Sequence, residues 1–207
     1  FVTDASEVGL NGLITIDLAS GRARRRLDRH PSTRATPDFV PFVERRPVYF
    51  DLKDAKPGHL TLGAHGVALS GDRQRLFYAP LASRRLYSVS VDALLDPSMP
   101  PWRVEDTLRR YGDLGFATDG MATGPDGALY LSNFEDGAIV RFRPGHVMES
   151  VVRDPRLLWP DSLAIRGGYL YVTVTQRHRQ HVFNDGKDLA EPPYVLYRAP
   201  LPEYARP

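Results

Sequence analysis

Short apolar runs alternate with polar residues along most of the chain, and Gly, Pro, Asp and Asn separate one run from the next. This period of two, interrupted by turn-forming residues, predicts β-strands joined by tight turns. The segment GALYLSNFEDGAIVRFRPGHVMESVV at residues 127–152 predicts three strands with Glu-Asp-Gly and Arg-Pro-Gly turns between them. The best helical pattern is the short SVDALLDP at residues 90–97. The chain is therefore predicted to be all-β.

One phrase occurs three times, each time as a polar residue, an apolar strand, a turn and an aromatic-rich strand. The copies read AHGVALSGDRQRLFYAP from residue 64, TDGMATGPDGALYLSN from residue 118 and PDSLAIRGGYLYVTVT from residue 160. The polar residues that open them, hereafter the pivot residues, are His65, Asp119 and Asp161. Their spacings of 54 and 42 residues are close to the roughly 40 to 50 residues of a four-stranded propeller blade. The repeat therefore predicts a β-propeller architecture.

The pivot residues also divide the chain into blades. Residues 1–30 are expected to supply the outer strands of one blade, 31–64 a connection, 65–118 a blade with a loop insertion, 119–160 a further blade, and 161–207 the last blade with the C-terminal segment. This makes three to four blades, whereas a ring has about four to eight. We therefore expect a missing N-terminal half of the propeller, or a second chain, as the partner that completes the ring.

The composition is that of a globular protein, with 42% hydrophobic residues, 25% charged residues and a formal net charge of +2. Cysteine is absent, which excludes disulfides, thiolate metal sites and a cysteine nucleophile. No apolar run of about 18 residues is present, so no membrane span is expected, and no signal peptide is expected within this chain. In the basic segment GRARRRLDRH, Arg22, Arg24 and Arg26 are predicted to face solvent from one strand, and nucleic acid is not an expected partner.

Four blocks follow one another along the chain: DRHPSTRA from residue 28, DGMATGPDGALYLSNFEDGAI from residue 119, DPRLLWPDSLAI from residue 154 and FNDGKDLAEPPYVLYRAPL from residue 183. Together they resemble the bacterial branch of the Yellow and major royal jelly protein family, whose members carry names related to L-dopachrome tautomerase. The resemblance implies a six-bladed β-propeller, of which this chain would be the C-terminal half, and a secreted or periplasmic protein. Family members include dopachrome-converting enzymes and proteins that bind biogenic amines.

The phrase D-G-M…G-x-L-Y is also similar, more distantly, to gluconolactonase-like propellers. Those proteins hold a divalent metal at the channel mouth with carboxylates and an asparagine. This chain departs from their pattern, because His65 stands where the gluconolactonase-like phrase has Asn before Gly.

The pivot residues are predicted to converge at the channel mouth, because each precedes the innermost strand of its blade. As catalytic residues, His65 with Asp119 is the preferred pair for taking and returning a proton, and Asp161 is the third candidate. Asp119 and Asp161 are alternatively predicted to coordinate a divalent cation, Ca²⁺ or Mg²⁺ in an oxygen site, with His65 favouring Zn²⁺. No other cofactor is expected. The competing structural interpretation is that the Asp-Gly pairs only cap turns.

Aromatic and polar residues near the pivots are predicted to bind a flat cationic small-molecule ligand. Phe134 or Trp159 would stack on an amine-bearing ring, while Glu135 or Asp161 would neutralise its charge. Asn133 is expected on the same face. A core position between blades is the competing interpretation of Trp159.

The segment TQRHRQHVFNDGKD at residues 175–188 is predicted to be a polar loop. His178 and His181 lie three residues apart, a spacing that brings side chains together on a helix but not on a strand. Arg177 and Arg179 would also repel a cation, so we do not expect these histidines to bind a metal.

Three functions are compatible with these observations. The first is a Yellow-like protein that binds a small aromatic or amine ligand at the channel mouth, with dopachrome-type tautomerisation as its activity. The second is a metal-dependent lactonase or other hydrolase of gluconolactonase type, which requires a further ligand from outside this chain. The third is a non-catalytic interaction platform in which the pivots are structural caps.

Overall fold

The computed structural model describes residues 1–6, 10–52, 56–145 and 147–201. The first sheet contains β1 (Val2–Asp4), β2 (Gly12–Ile16) and β3 (Ala23–Arg26), and a small hairpin of β4 (Phe42–Val43) and β5 (Arg46–Pro47) follows. The second sheet contains β6 (Ala64–Leu69), β7 (Arg75–Pro80), β8 (Arg85–Ser90) and β9 (Arg109–Asp113), with helices α1 (Val91–Leu95) and α2 (Pro101–Asp106) between its last two strands. None of the described helices is long and apolar enough to cross a membrane.

The third sheet contains β10 (Thr118–Thr123), β11 (Leu129–Asn133), β12 (Ala138–Phe142) and β13 (Glu149–Arg153), and the fourth contains β14 (Pro160–Arg166), β15 (Tyr169–Val174) and β16 (Val195–Pro200). Between β15 and β16 lie two short 3-10 helices, Arg177–Arg179 and His181–Phe183, and a third, Pro31–Thr33, precedes the hairpin. Every strand pairs antiparallel with its neighbour in sequence inside its sheet. Such four-stranded meanders are propeller blades.

The first strands of successive sheets lie side by side. Strand β10 contacts both β6 and β14, and β1 contacts β6 through a hydrogen bond from Thr3 Oγ1 to the His65 carbonyl at 2.8 Å. These four strands are therefore the innermost strands around a common axis. The all-β, partial β-propeller architecture predicted from the repeat is confirmed.

Alternation of side chains along the second strand of a blade fills the core on both sides of the sheet. Leu76 and Tyr78 of β7 pack toward the first sheet, whereas Phe77 and Ala79 pack against residues of the third sheet. Tyr130 of β11 continues the pattern by packing toward the fourth sheet. The two middle sheets are thus covered on both faces, which is why their strands read as nearly continuous apolar runs.

Two of the predicted blade segments differ from the structure in content. The first sheet contains an innermost strand, β1, whereas residues 1–30 were expected to supply outer strands only. The predicted loop insertion contains α2 and the outermost strand β9. Its sequence, RRYGD, is charged because an outer edge strand faces solvent, so it carries little of the apolar pattern that identifies inner strands. Residues 202–207 of the predicted last segment lie outside the described residues.

The solvent-facing role predicted for Arg26 is wrong. Its side chain is buried, and its guanidinium donates hydrogen bonds to the carbonyls of Leu94 and Met99 at 3.0 and 3.1 Å. Leu94 belongs to α1 and Met99 follows that helix, where backbone carbonyls lack helical partners. Strand β3 is therefore tied to the second blade rather than presenting all of its arginines outward.

Candidate functional site

The three pivot residues occupy equivalent positions in the fold. His65, Asp119 and Asp161 are each the second residue of an innermost strand, namely β6, β10 and β14. In each case the pairing with the next strand shifts register at the pivot, as in a β-bulge. A bulge bends the strand and re-aims a side chain that would otherwise follow the regular alternation. This local irregularity occurs at the same place in all three blades, and the side chains of the three pivots interact with one another.

Hydroxyl groups from the second strands support two of these bulges. Ser132 Oγ accepts hydrogen bonds from the backbone N–H groups of Asp119 and Gly120 at 3.1 and 2.9 Å, and Thr173 Oγ1 accepts one from Ser162 N at 3.0 Å. These bonds satisfy N–H groups that the disrupted ladder leaves unpaired. The buried hydroxyl of Ser132 and the partly exposed hydroxyl of Thr173 therefore fix the backbone at Asp119 and Asp161.

Glycine is required after the first two pivots, His65 and Asp119, because adjacent blades approach closely there. A Cβ on Gly66 would lie 2.3 Å from the Asp119 carbonyl oxygen, and one on Gly120 would lie 2.1 Å from the Asp161 carbonyl oxygen. Real side chains do not occupy such space. The repeated pivot-Gly order is thus explained by the packing of one innermost strand against the next.

Asp119 is the centre of the site. Its carboxylate is buried, His65 Nδ1 lies 2.8 Å from Oδ1, and Trp159 Nε1 donates a hydrogen bond to Oδ2 at 2.7 Å. Among the described residues Oδ1 has no hydrogen bond of regular angular geometry, so its contact with His65 is a short electrostatic one. A buried carboxylate is costly unless it is paired. Asp119 is therefore held between an imidazole and an indole, and both of its oxygens face protein donors.

The pKa values of two pivots are raised above their ordinary values. The contact with the Asp119 carboxylate raises the pKa of His65 above its ordinary 6.5, although burial opposes it. Burial, followed by repulsion from Asp119, raises the pKa of Asp161 above its ordinary 3.8. Two neighbouring titratable groups with raised pKa values are suited to proton transfer.

Phe134 and Trp159 are fully buried, each at 0% exposure. Their rings stack on each other with centroids 4.1 Å apart, and the imidazole of His178 stacks on Trp159 at 6.0 Å. Neither ring has a free surface for a ligand in this arrangement. Trp159 acts on the site through its bond to Asp119, from a backbone with a φ of +62° that is unusual for so large a residue.

The side chains of the other two predicted ligand-binding residues form ion pairs or hydrogen bonds with other residues of the protein. Glu135 forms an ion pair with Arg84 and accepts hydrogen bonds from the N–H groups of Phe42 and Ala117 at 2.9 and 2.7 Å. Asn133 is buried and exchanges hydrogen bonds with Asp136 across the turn after β11. Both side chains thus tie loops to the third blade rather than pointing a free polar group at the axis.

Arg177 also interacts with the pivots, an interaction that the sequence did not predict. It begins the 3-10 helix after β15, and its positive charge acts on both His65 and Asp161, where it opposes the rise in the pKa of each. The antiparallel pairing of Pro160 with Val174 brings this end of β15 back to the start of β14. The sequence signal was the basic segment after the third repeat, but its position beside the axis depends on that pairing.

A second polar cluster lies on the connection at residues 31–64. Glu44, at the turn of the β4–β5 hairpin, contacts His178 Nε2 at 2.7 Å and accepts hydrogen bonds from Arg179 at 2.8 and 3.0 Å. Two cavities of about 550 Å³ each flank this hairpin, and neither is lined by a pivot residue. Because His178 stacks on Trp159, the hairpin is connected to the site through the aromatic core.

The contacts of Glu44 with His178 and Arg179 make thermal stability depend on pH in the acidic range. Hydrogen bonds from Arg179 and His178 lower the pKa of Glu44 from 4.5 to about 2. The stabilisation by ionised Glu44 is therefore complete above pH 4.5 and is lost as the pH falls toward 2. We expect Glu44→Gln to reduce the fall in Tm over that range, modestly because the side chain is 41% exposed. Thermal unfolding from pH 6 to pH 2 measures this, with exposed Glu105→Gln as the matched control, and an unchanged pH dependence in Glu44→Gln would contradict it.

The described residues do not fit the divalent cation predicted at Asp119 and Asp161. Among them, no group of three or more His, Cys, Asp or Glu side chains is arranged to hold a metal ion. Both oxygens of Asp119 face donors, and Arg177 adds a positive charge beside Asp161. A cation here would need further ligands and would have to displace His65 or Trp159 from Asp119.

The family of the chain follows from a comparison with known families. The model for "Major royal jelly protein" matches residues 1–203, nearly the whole chain. The chain belongs to the major royal jelly protein family. The resemblance in the four sequence blocks is thereby confirmed, and the pivots belong to a partial propeller of this family. No curated protein sequence matches the chain.

Solved structures of low sequence identity share the fold. A nidogen/laminin complex matches at a TM-score of 0.52 and 18% identity, covering 83% of this chain and 51% of the other. The gluconolactonase XC5397 from Xanthomonas campestris matches at 0.50 and 18% identity, covering 85% and 57%, and a luciferin-regenerating enzyme at 0.50 and 16%, covering 80% and 44%. This major royal jelly family chain therefore spans about half the length of the structures that it matches.

Proposed function

We propose that this major royal jelly family protein binds a small aromatic or amine ligand at the pivot residues and tautomerises it, as a dopachrome-type tautomerase. The observation that carries the proposal is the contact of His65 with the buried carboxylate of Asp119 at 2.8 Å. A carboxylate on Nδ1 favours the tautomer with its proton there and leaves Nε2 to exchange a proton with a ligand. The side chain of His65 is 35% exposed, so a ligand can reach it.

Asp161 supplies the second proton-transfer group. Its carboxylate removes a proton from a carbon of the ligand, and the electron pair of that C–H bond shifts toward a carbonyl group. The carbonyl oxygen takes a proton from Nε2 of protonated His65, and exchange with solvent returns both residues to their starting states. One C–H bond breaks and one O–H bond forms, so the reaction needs no oxidant or reductant.

Asp119 is a positioning residue in this proposal, although it was predicted from sequence as a catalytic partner. It is 1% exposed and therefore does not reach a ligand. Its negative charge favours protonated His65 and disfavours ionised Asp161. One buried charge thus raises the pKa of both partly exposed groups, in addition to the effect of burial on Asp161.

The pH profile of activity tests this arrangement. Activity requires ionised Asp161 and protonated His65, so it falls in acid through the raised pKa of Asp161 and in alkali through the raised pKa of His65. Removing the charge in Asp119→Asn lowers both pKa values, and we expect both limbs to move to lower pH. The measurement is the decay of dopachrome absorbance with the full-length protein across pH, corrected for spontaneous decay.

Asp106→Asn is the matched control, because it makes the same charge change at the exposed C-terminal end of α2. Its profile should match that of the unchanged protein. If both limbs of the Asp119→Asn profile stay at the pH values of the unchanged protein, the assignment of His65 and Asp161 is contradicted. Absence of any turnover above the spontaneous rate would contradict the tautomerase and leave a ligand-binding or platform role.

A further inference from the structure

The guanidinium of Arg177 has no direct hydrogen-bond or ion-pair partner among the described residues, and its Nε atom is buried. Arg84 and Arg179 are different, because each binds a carboxylate through two nitrogens. A buried guanidinium nitrogen normally has an acceptor, since desolvation without one is costly. Within the described part of the chain, the Arg177 Nε–H is therefore an unpaired buried donor.

The backbone before Arg177 is held in an unusual conformation. Gln176 has a φ of +50° and is fixed by hydrogen bonds between its side chain and the backbone of Glu191, at 2.8 and 3.0 Å. Its N–H also donates to the carbonyl of Leu158 at 3.0 Å. A non-glycine residue in this region is strained and persists only where its surroundings hold it. The start of the Arg177 helix is thus anchored to the segment that enters β14.

The charges around Arg177 indicate which ligand groups could pair with it. Arg177 interacts electrostatically with Asp161 and with the imidazole of His65, which itself lies 2.8 Å from the buried Asp119. A ligand with a carboxylate near Arg177 and an amine near Asp161 would pair both groups. The planar guanidinium is suited to a carboxylate, which it can bind through two parallel hydrogen bonds.

We propose that Arg177 binds the carboxylate of the ligand, so that the site selects amino-acid-derived aromatic molecules over the corresponding amines. The inference rests on the proposed function and narrows its ligand class. Arg177 is a specificity-determining residue in this view, and a ligand that lacks the carboxylate leaves the guanidinium unpaired. The site then discriminates against an amine without a carboxylate because that amine leaves the buried guanidinium without a hydrogen-bond acceptor.

The experiment compares two probes that differ only in the carboxylate, L-DOPA and dopamine. Their dissociation constants are measured by calorimetry on the full-length protein, on Arg177→Gln and on Arg177→Lys. We expect the unchanged protein to prefer L-DOPA by about tenfold or more, as for a charged hydrogen bond. Arg177→Gln should bind the two probes about equally, and Arg177→Lys should recover part of the preference. Arg166→Gln is the charge control, because Arg166 is exposed at the opposite end of β14 from Asp161.

Benzoate, as a third probe, separates the two proposals. If both catechols bind but Arg177→Gln weakens them equally, the carboxylate assignment is overturned and the ligand site stands. If neither catechol binds but benzoate binds in an Arg177-dependent way, the anion site stands and the proposed function falls. If no probe binds, the inference is overturned. It is also overturned if Arg177→Gln lowers the Tm but leaves the binding of every probe unchanged, because the partner of Arg177 would then be a protein carboxylate elsewhere in the ring.

Discussion

Replacing His65 with glutamine is expected to lower the rate of dopachrome tautomerisation by about 10²- to 10⁴-fold, the usual contribution of general acid–base catalysis. Glutamine keeps a polar side chain of similar length but cannot carry a proton to the ligand. Its amide also cannot balance the buried charge of Asp119, which lies 2.8 Å from the imidazole in the unchanged protein. Steady-state rates at saturating dopachrome measure the effect on kcat.

The control for this change is His181→Gln. His181 is exposed at the start of the last 3-10 helix, and no hydrogen bond or ion pair among the described residues joins its side chain to a pivot. Its rate should stay within a factor of about two of the unchanged protein, since exposed substitutions have small effects. Equal rates in His65→Gln and the unchanged protein would remove His65 from the mechanism, and a comparable loss in His181→Gln would point to a general surface effect.

The sequence was sufficient to predict the fold and the meeting of the pivots. A repeat that carries His65, Asp119 and Asp161 at equivalent positions requires them to meet if the repeats are blades, whatever the details of packing. The sequence also shows a glycine after each of the first two pivots. The structure explains it, because the backbone of the neighbouring strand leaves no space for a side chain there. These features follow from local pattern and symmetry alone.

The roles within the site could not be predicted in the same way. Asp119 and Asp161 are alike in sequence, but Asp119 is buried against Trp159, whereas Asp161 stays partly exposed. Arg177 reaches the pivots only through the return of β15, and Glu44 meets His178 across 134 residues of chain. Contacts between such distant positions leave no periodic signal in a single sequence.

Trp159 connects the core with the site, and its replacement is expected to have the largest effect on stability. Trp159→Ala should lower the free energy of unfolding by about 3–5 kcal/mol, because a fully buried indole is lost from the stack with Phe134. Trp159→Phe keeps most of the ring but removes the Nε1–H donor to Asp119, and we expect a loss of about 1–3 kcal/mol. Denaturant unfolding measures both changes, with the exposed Trp102→Phe as a control that should stay within about 0.5 kcal/mol.

A double-mutant cycle separates the hydrogen bond from the packing of the indole. Asp119→Ala leaves the indole N–H without its acceptor, and Trp159→Phe leaves the carboxylate without its donor. Once one partner is gone, removal of the other costs less, so the double variant should be more stable than the sum of the single changes predicts, by about 0.5–3 kcal/mol. Additive losses would mean that Trp159 stabilises the blades by packing alone. Coupled losses would mean that the core residue also holds the carboxylate that positions His65, so that one hydrogen bond serves both the fold and the site.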